Sequence, residues 1–307
     1  MSITGAANGD AEVSGLPPPG GHPTAGAPPT VERVPPLRTV RATAYVTPLR
    51  EGGSLPALME ADDDGIYVTK FRGAGQGTAS LVAEVIVAGV AARLGVRVPE
   101  LVVVDLDEAI APREADEEVQ DLLRASTGTN LGMDYLPGST GYDGRGSWTP
   151  DVDDAVRVLW LDAFTGNVDR TWRNPNLLVW HRRLWAIDHG SALVFQHAWP
   201  DPATWAGRVY DLGRHVLLPV AERFGASAWA ALDAELAARL DPATVREVVE
   251  AVPGEWLLAM NSARSREQAA RDAGDPVPSA ADWRERYVSQ LLARLTGERP
   301  WRDGLLP

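Results

Sequence analysis

A change in hydrophobic pattern near residue 137 is the feature that most restricts how this chain can fold. Before it, short apolar or alternating runs predict strands, and these lie at 38–47, 55–60, 65–71, 99–106 and 130–136. One strongly apolar helix is expected among them, over residues 78–94, and Gly95 ends it. After residue 137 the pattern becomes mostly helical. The chain is therefore predicted to have an α+β fold in which the strands are concentrated in the first half.

The second part of the sequence combines one hairpin with several helices. Thr149 and Pro150 are typical of a helix cap followed by a first-turn proline, so a helix is predicted from there to about Gly166. A hairpin of two strands is predicted at 176–180 and 183–188. The remaining predicted helices lie at 208–224, 226–239, 241–251, 254–273 and 279–296.

These segments divide the sequence into four parts. Residues 1–36 are rich in Gly, Pro and Ala and are expected to form a disordered tail. A small β-rich N-lobe is predicted at 37–132 and a larger helical C-lobe at 133–300, followed by a short C-terminal tail at 301–307. The expected architecture is therefore bilobal.

The composition excludes several functional classes. The chain has 307 residues, a formal net charge of −13 and no cysteine, so disulfides and thiolate metal sites are excluded. We expect no nucleic-acid partner, because binding to a phosphate backbone depends on clusters of basic residues. One bound nucleotide remains compatible with this charge, since a local pocket can oppose the global sign. No apolar run of membrane-spanning length and no N-terminal signal are apparent, so a cytoplasmic location is expected.

Lysine usage singles out one position in the sequence. Of 29 basic residues, only Lys70 is a lysine. A GC-rich coding bias would replace lysine by arginine wherever charge alone suffices, so Lys70 is expected where a compact ammonium is required. Strand alternation places it on one face with Ile66 and Val68, where an unpaired ammonium would be costly. Glu84, which interrupts the apolar helix, is a candidate partner; the alternative is a solvated lysine at a strand end.

Two further segments carry residues that suit phosphoryl transfer. Asp169 follows a predicted helix end, and Asn174 lies five residues later. One short loop can thus place a carboxylate beside a hydroxyl group and an amide oxygen beside a metal ion. Asp188 ends an apolar strand just before His189, 19 residues after Asp169, and the predicted hairpin returns it towards the same loop. Each segment alone is also compatible with an ordinary polar turn, in which Asp169 pairs with Arg170.

The stretch FTGNVDRTWRNPNLLVWHRRLWAIDHG, residues 164–190, resembles the catalytic and metal-binding core of HipA-like kinases and, more distantly, that of phosphoinositide lipid kinases. The upstream segments YVTKF, LGVRVPE and LGMDYLPG fit the same HipA-like pattern, so the resemblance covers about residues 38–200. It implies a protein-kinase-like fold and an ATP-dependent kinase that uses Mg²⁺.

The resemblance also implies roles for the residues already singled out. Lys70 would contact the phosphates of ATP, and Glu84 would orient it. Asp169 would be the catalytic base, and Asn174 and Asp188 would bind magnesium.

Other implied contacts are less sharply marked in the sequence. The hinge that meets adenine would lie in LGMDYLPG, and its residues are Met133, Asp134, Tyr135 and Leu136. The loop that covers the phosphates is not a clear glycine-rich repeat, and by position its residues would be Gly52, Gly53 and Ser54. Asn176 is a second polar candidate for the metal site, although the loop spacing favours Asn174.

Several alternatives stay open at this point. No segment identifies the acceptor hydroxyl; a protein Ser or Thr is expected by family analogy, and a small molecule or a lipid head group is the alternative. A nucleotide-binding scaffold without transfer activity is a second class of function. A third interpretation takes GAGQG, residues 73–77, as a dinucleotide-binding loop, but Thr78 stands where the third glycine of that motif belongs.

Overall fold

The first half of the protein forms a closed five-stranded barrel. In this computed structural model, residues 37–49, 55–75 and 77–303 are described. The strands are β1 (Thr39–Pro48), β2 (Ala57–Ala61), β3 (Ile66–Lys70), β4 (Leu101–Leu106) and β5 (Gly128–Asp134). They are hydrogen-bonded in the order β1-β2-β3-β5-β4, and a parallel pairing between β1 and β4 closes the barrel.

Side-chain alternation gives the barrel a core of its own. Val102, Val104 and Leu106 of β4 pack with Met59 in the cluster inside the barrel. Val103, on the opposite face of β4, belongs to the larger core that the helices form. Because successive side chains of a strand point to opposite faces, one strand contributes to both cores.

The described part of the chain also contains ten α-helices, three short 3-10 helices and a second, smaller sheet. The helices are α1 (Gly77–Leu94), α2 (Glu117–Ala125), α3 (Val152–Thr165), α4 (Pro202–Ala206), α5 (Leu218–Ala221), α6 (Ala226–Ala238), α7 (Pro242–Glu250), α8 (Gly254–Ala259), α9 (Asn261–Ala273) and α10 (Ala280–Leu295). The second sheet has the strand order β6 (Thr140–Gly141), β7 (Leu177–Trp180) and β8 (Arg183–Ala186). The mixed α/β character that the sequence predicted is therefore confirmed.

The helix α1 lies in the larger core. It is apolar on all sides and packs against α3, α7 and α8, as expected of a buried helix. Glu84 is nevertheless almost completely buried within it. Among the described helices, α1 alone has the length and mean hydropathy of a membrane span, which the count of apolar runs did not anticipate. Most of α1 is buried inside the protein, so this is weak evidence for a span.

The strands on either side of α1 do not form a dinucleotide-binding unit. β5 lies between β3 and β4 and pairs antiparallel with both. A dinucleotide-binding turn instead opens a βαβ unit within a mostly parallel sheet. The segment GAGQG therefore joins β3 to α1 without the sheet context which that interpretation requires.

Two of the predicted helices are wrong. Most of the predicted helix 208–224 is irregular, and only its later part forms α5. We call residues 207–217 the irregular segment. Its backbone and Tyr210 form hydrogen bonds with the loop after α3 instead of within a helix. The predicted helix 254–273 is two helices, because the buried Met260 has an extended backbone between α8 and α9.

The structure describes the C-terminal end of the chain up to residue 303 but does not describe the N-terminal end. The predicted N-terminal tail, residues 1–36, lies outside the described residues. Trp301, which the predicted boundary assigns to the C-terminal tail, is fully buried and contacts Trp160 and Phe164 of α3. Residues at this end of the chain therefore pack against the helix that precedes the candidate active site.

Gly166 fixes the direction in which the chain leaves α3. It caps the helix with φ 65°, a left-handed conformation that favours glycine, and a Cβ here would overlap the indole ring of Trp205.

We expect Gly166→Ala to lower the free energy of unfolding by about 2–4 kcal/mol, as measured by urea denaturation. Gly146→Ala is the control, because its Cβ would meet open space, and it should change stability by less than about 0.5 kcal/mol. Equal losses in the two variants would contradict this account.

Candidate active site

Lys70 lies at the end of β3, between two carboxylates. Its ammonium forms ion pairs with Glu84 of α1 and with Asp188, whose Oδ1 lies 2.6 Å from Nζ. The Lys70 and Glu84 side chains are almost completely buried, whereas that of Asp188 is 39% exposed. Lys70 is therefore not a solvated lysine at a strand end. Ile66, on the same face of β3, is 41% exposed, so this face is less buried than the sequence suggested.

The two carboxylate partners of Lys70 keep its side chain protonated. Burial alone would lower the pKa of Lys70, but Glu84 and Asp188 together outweigh burial and raise it to about 12. The side chain is consequently an ammonium at neutral pH. An ammonium has three N–H donors, and two of them suffice for the two carboxylates. One donor is left for a further anionic group.

The loop after α3 holds Asp169 in place with amide groups. Asp169 Oδ2 accepts a hydrogen bond from Asn174 Nδ2 at 2.8 Å, and Asn176 Nδ2 lies 3.5 Å from the same oxygen. Ser191 Oγ also lies 3.5 Å from this oxygen. The sequence spacing of five residues therefore places Asp169 and Asn174 side by side, and Asn176 lies in the same group.

The β7–β8 hairpin brings Asp188 to this loop. At its base the N–H of Ile187 donates to the carbonyl of Asn176 at 3.1 Å, so the two arms of the hairpin are joined just before Asp188. Asp188 then adopts a left-handed backbone conformation, with φ 54°. The chain turns at this point, which lets the carboxylate reach Lys70 while His189 becomes buried.

A buried polar cluster supports both loops, and the sequence reasoning missed it. Arg170 is fully buried, and its Nε donates to Asp162 Oδ2 at 2.5 Å. It therefore pairs with Asp162 in α3, and the alternative in which it pairs with Asp169 is wrong. The remaining N–H groups of Arg170 donate to the backbone carbonyls of Asn176 and Ile187 and to His189 Nδ1. The signal that could have found it is a polar residue, Asp162, inside an apolar helix.

Protonation in this cluster follows from burial and charge. Burial would raise the pKa of Asp162, but the charge of Arg170 and the hydrogen bond from His215 lower it to about 2. Burial and the nearby Arg170 lower the pKa of His189 to about 3. Burial also lowers the pKa of His215, whose Nε2 donates to Asp162 at 2.9 Å. The cluster thus combines one ionised pair with two neutral imidazoles.

The predicted hinge begins inside β5, since Met133 and Asp134 are the last two residues of that strand. Two of its backbone N–H groups are already occupied: Asp134 donates to the carbonyl of Glu100 at 2.8 Å, and Tyr135 donates to that of Ile66 at 3.0 Å. A ring that binds at this segment would therefore have to use the backbone of Leu136 or a carbonyl group. The predicted residues of the phosphate-covering loop lie outside the described residues, and they are Gly52, Gly53 and Ser54.

The side chains around Asp169 suit a hard divalent cation. Asp169 and Asp188 supply carboxylate oxygens, and Asn174 and Asn176 supply amide oxygens. Magnesium in phosphoryl-transfer sites is held by one or two carboxylates together with substrate phosphates. Within the described residues no three His, Cys, Asp or Glu side chains form a cluster that could hold a metal ion. The donor set therefore fits an ion that the protein binds jointly with a phosphorylated ligand.

The ion-paired lysine, the Asp-Asn loop and the hairpin aspartate form the arrangement that is expected of a kinase-type phosphotransferase. The family comparison agrees, since residues 44–273 match the model that describes HipA-like kinases. This match spans most of the chain, and the protein belongs to the HipA-like kinase family. The resemblance that the sequence suggested is thereby confirmed. A search of curated proteins found no matching sequence.

Solved kinase structures are also similar to this fold. The crystal structure of a Helicobacter pylori proinflammatory kinase, CtkA, has a TM-score of 0.45 at 11% identity and covers 85% of this chain and 94% of its own. The crystal structure of the Golgi casein kinase with Mn/ADP bound has a TM-score of 0.40 at 13% identity, and covers 86% and 73%.

Removing the counter-charge of Arg170 should be costly. We expect Asp162→Ala to lower the free energy of unfolding by about 3–5 kcal/mol, because it leaves a buried guanidinium uncompensated. The measurement is urea denaturation at pH 7. Asp121→Ala is a matched control, since Asp121 pairs with Arg124 in an exposed position, and it should cost less than about 1 kcal/mol. A loss as small as this in Asp162→Ala would show that the buried pair contributes little.

The neutral imidazoles predict how stability depends on pH. The unfolded chain binds protons at its histidines below about pH 6.5, whereas His189 and His215 stay neutral in the folded protein. The contribution of the two neutral rings to the free energy of unfolding is therefore complete above about pH 6.5. It is lost as the pH falls towards the lowered folded-state pKa values. Between pH 7 and 5 we expect the free energy of unfolding to fall by roughly 1–2 kcal/mol on account of His189, whose folded-state pKa is about 3, and further on account of His215.

Urea denaturation at pH 7, 6 and 5 measures this dependence. His215→Gln should show a smaller decrease than the wild-type protein, because one of the two buried imidazoles is gone. His197→Gln is the control, since His197 is exposed, and its pH dependence should match that of the wild type. A wild-type stability that does not change over this range would contradict the neutral state of both rings.

Proposed function

We propose that this protein transfers the γ-phosphoryl group of Mg·ATP to a hydroxyl group. The observation that carries the proposal is the position of Lys70 between Glu84 and Asp188. A charged ammonium with a spare donor can bind a phosphate oxygen. The neighbouring Asp188 is exposed enough to bind a metal ion as well. The phosphates of Mg·ATP require both features at adjacent points.

The nucleotide would bind where β3 approaches the β7–β8 hairpin. In the bilobal arrangement that we propose, residues 37–132 form the smaller lobe and residues 133–300 the larger one. Adenine would lie against residues 133–136, and the phosphates would extend towards Lys70. The ion pair between Lys70 and Asp188 joins elements that are 118 residues apart in sequence, which supports a site assembled from both parts of the chain.

Asp169 would act on the acceptor. Its carboxylate is already oriented by the hydrogen bond from Asn174, so no reorientation is required when substrate binds. We expect Asp169 to accept the proton of the acceptor hydroxyl as that oxygen bonds to the γ-phosphorus. The bond between this phosphorus and the oxygen that bridges it to ADP breaks in the same step. The products are ADP and a phosphate ester.

Asp188 and Asn174 are the proposed magnesium ligands, and Asn176 is a second candidate for the amide ligand. The nitrogen atom of each amide faces Asp169, which leaves the amide oxygens available to a cation. Bound magnesium would neutralise part of the charge on the β- and γ-phosphates. Asp188 also pairs with Lys70, so ligand and ammonium are held beside each other.

The nature of the acceptor is the least constrained part of the proposal. A protein Ser or Thr is the first candidate by family analogy, and a small molecule or a lipid head group is the alternative. A cytoplasmic location belongs to the same proposal. It is supported by the absence of cysteine, since an extracellular protein of this size often carries disulfides.

The test of nucleotide binding is a thermal-shift titration with Mg·ATP. A ligand that binds the folded state raises its melting temperature by mass action. We expect a magnesium-dependent increase for the wild-type protein and for Asp169→Asn, and its loss in Asp188→Ala. Asp105→Asn, at an exposed position on β4, is the control and should behave like the wild type. No increase in the folded wild-type protein at saturating Mg·ATP would refute the nucleotide site.

Transfer is measured separately, as ADP release in the presence of candidate acceptors. Asp169→Asn should bind Mg·ATP but lose at least about a hundredfold in rate, which is the usual size of a general-base contribution. Normal turnover in Asp169→Asn would refute the role of this residue. Nucleotide binding without ADP release in the wild type, over protein and small-molecule acceptors, would favour the scaffold alternative.

A further inference from the structure

A pocket of about 470 Å³ adjoins the loop that carries Asp169. One wall contains Val168, the residue before Asp169, and Thr171, which lies two residues after it. The opposite wall is the irregular segment, residues 207–217, and Arg294 of α10 lines the pocket as well. Val168 is 61% exposed, so an apolar side chain projects at the boundary between pocket and loop.

The irregular segment is fixed to the Asp169 loop by two contacts, a side-chain hydrogen bond and an isolated antiparallel β-bridge. Tyr210 donates from its hydroxyl group to the carbonyl of Asn167 at 2.6 Å. The N–H of Trp172 donates to the carbonyl of Arg214 at 3.3 Å, as part of the isolated β-bridge between Thr171 and His215. The two walls therefore keep a defined separation, and the Arg214 backbone is held directly beside the loop.

Three arginines at this pocket lack an acidic partner within the described residues. We call the site the arginine pocket and define it by Arg208, Arg214 and Arg294. Arg208 and Arg214 are exposed, and neither forms an ion pair with a described carboxylate. Asp211 is the acidic residue that also lines the pocket. The other arginine of the lining, Arg170, is already neutralised by Asp162.

Arg294 is the unusual member of the group because only 1% of its surface is exposed. It donates to the carbonyls of Ala163 at 2.6 Å, Trp205 at 3.0 Å and Arg208 at 3.4 Å and lies over the rings of Trp205 and Trp301. No carboxylate pairs with it, and its Nε has no partner in the described structure. Burial and the charge of Arg208 lower the pKa of Arg294 to about 9. A buried cation without a counter-charge is costly, and an anion in the pocket would reduce this cost.

We propose that the arginine pocket binds a phosphate monoester group, and that this group belongs to the acceptor of the kinase reaction. Three guanidinium charges against the single carboxylate of Asp211 leave a surplus of positive charge that matches a phosphate dianion. Guanidinium groups bind phosphate oxygens with paired N–H donors. This surplus occurs in a chain whose formal net charge is −13, so general surface composition does not explain it.

The position of the pocket connects it with the acceptor. The loop residues that line it flank Asp169, which in the proposed function accepts the proton of the acceptor hydroxyl. A phosphorylated molecule anchored by the arginines would therefore present its free hydroxyl groups near that carboxylate. The acceptor assignment rests on the proposed function, whereas the prediction of phosphate binding does not.

The first experiment is calorimetric titration of the full-length protein with inorganic phosphate, at fixed ionic strength and without nucleotide or magnesium. We expect the double variant with Arg208→Gln and Arg214→Gln to lose at least tenfold in affinity. Both side chains are exposed and unpaired with described carboxylates, so the variant should fold normally. Arg223→Gln changes an exposed arginine outside the pocket and should bind phosphate like the wild type.

Each outcome of the titration either supports or overturns phosphate binding at the arginine pocket. Phosphate that binds only at Lys70 would bind equally well to the double variant, and such a result would overturn the proposal. No binding to the wild-type protein would overturn it too. Loss of affinity in the double variant, with normal affinity in Arg223→Gln, would support it. Asp188→Ala should still bind phosphate, and the double variant should still show the Mg·ATP thermal shift, so failures of the two proposals are distinguishable.

A second titration identifies the source of the phosphate group. Glycerol 3-phosphate represents phosphorylated small molecules, and a phosphoserine tripeptide represents phosphorylated proteins. Tighter binding of either probe than of inorganic phosphate, lost in the double variant, supports an acceptor of that type. If neither probe binds more tightly than inorganic phosphate, the pocket is an anion site unrelated to the acceptor, and that part of the proposal is wrong.

Discussion

The guanidinium of Arg170 cannot be buried without a counter-charge and acceptors for its N–H groups, and the way the protein supplies them organises the candidate active site. Asp162 supplies the charge from within α3. The acceptors are two backbone carbonyls and a histidine ring, and they lie on separate segments. Because these segments lead to Asp169 and to Asp188, one buried cation links the two parts of the chain that carry the candidate catalytic carboxylates.

Local periodicity explains which parts of the fold could be predicted. The barrel strands, α1 and the β7–β8 hairpin have patterns that are complete within a short stretch of sequence, and the structure places them close to the predicted ranges. Residues 207–217 have a sequence compatible with a helix, but their hydrogen bonds to a distant loop override that preference. The break between α8 and α9 at Met260 also depends on a residue far away in sequence, since the Met260 side chain is buried against Tyr287 of α10.

Some contacts of the candidate site could likewise be predicted from the sequence, and others could not. A single lysine in an arginine-rich chain and a glutamate inside an apolar helix are visible in the sequence, and these two signals are enough to pair Lys70 with Glu84. The contact between Lys70 and Asp188 joins residues 118 apart, and only the folded chain reveals it. The arginine pocket was hidden for another reason: 28 of 29 basic residues are arginines, so no single one stands out.

The parallel pairing of β1 with β4 has a consequence for how partners can approach. An open sheet presents unpaired backbone groups along its outer strands, and extended peptides often bind proteins by adding a strand there. In the described part of the chain, the five strands of the barrel each have two hydrogen-bonded neighbours. The pairing of β1 with β4 covers Thr39–Arg41 and Val103–Asp105, so the backbone edge left for a docking peptide is the later part of β1, which pairs with β2 alone.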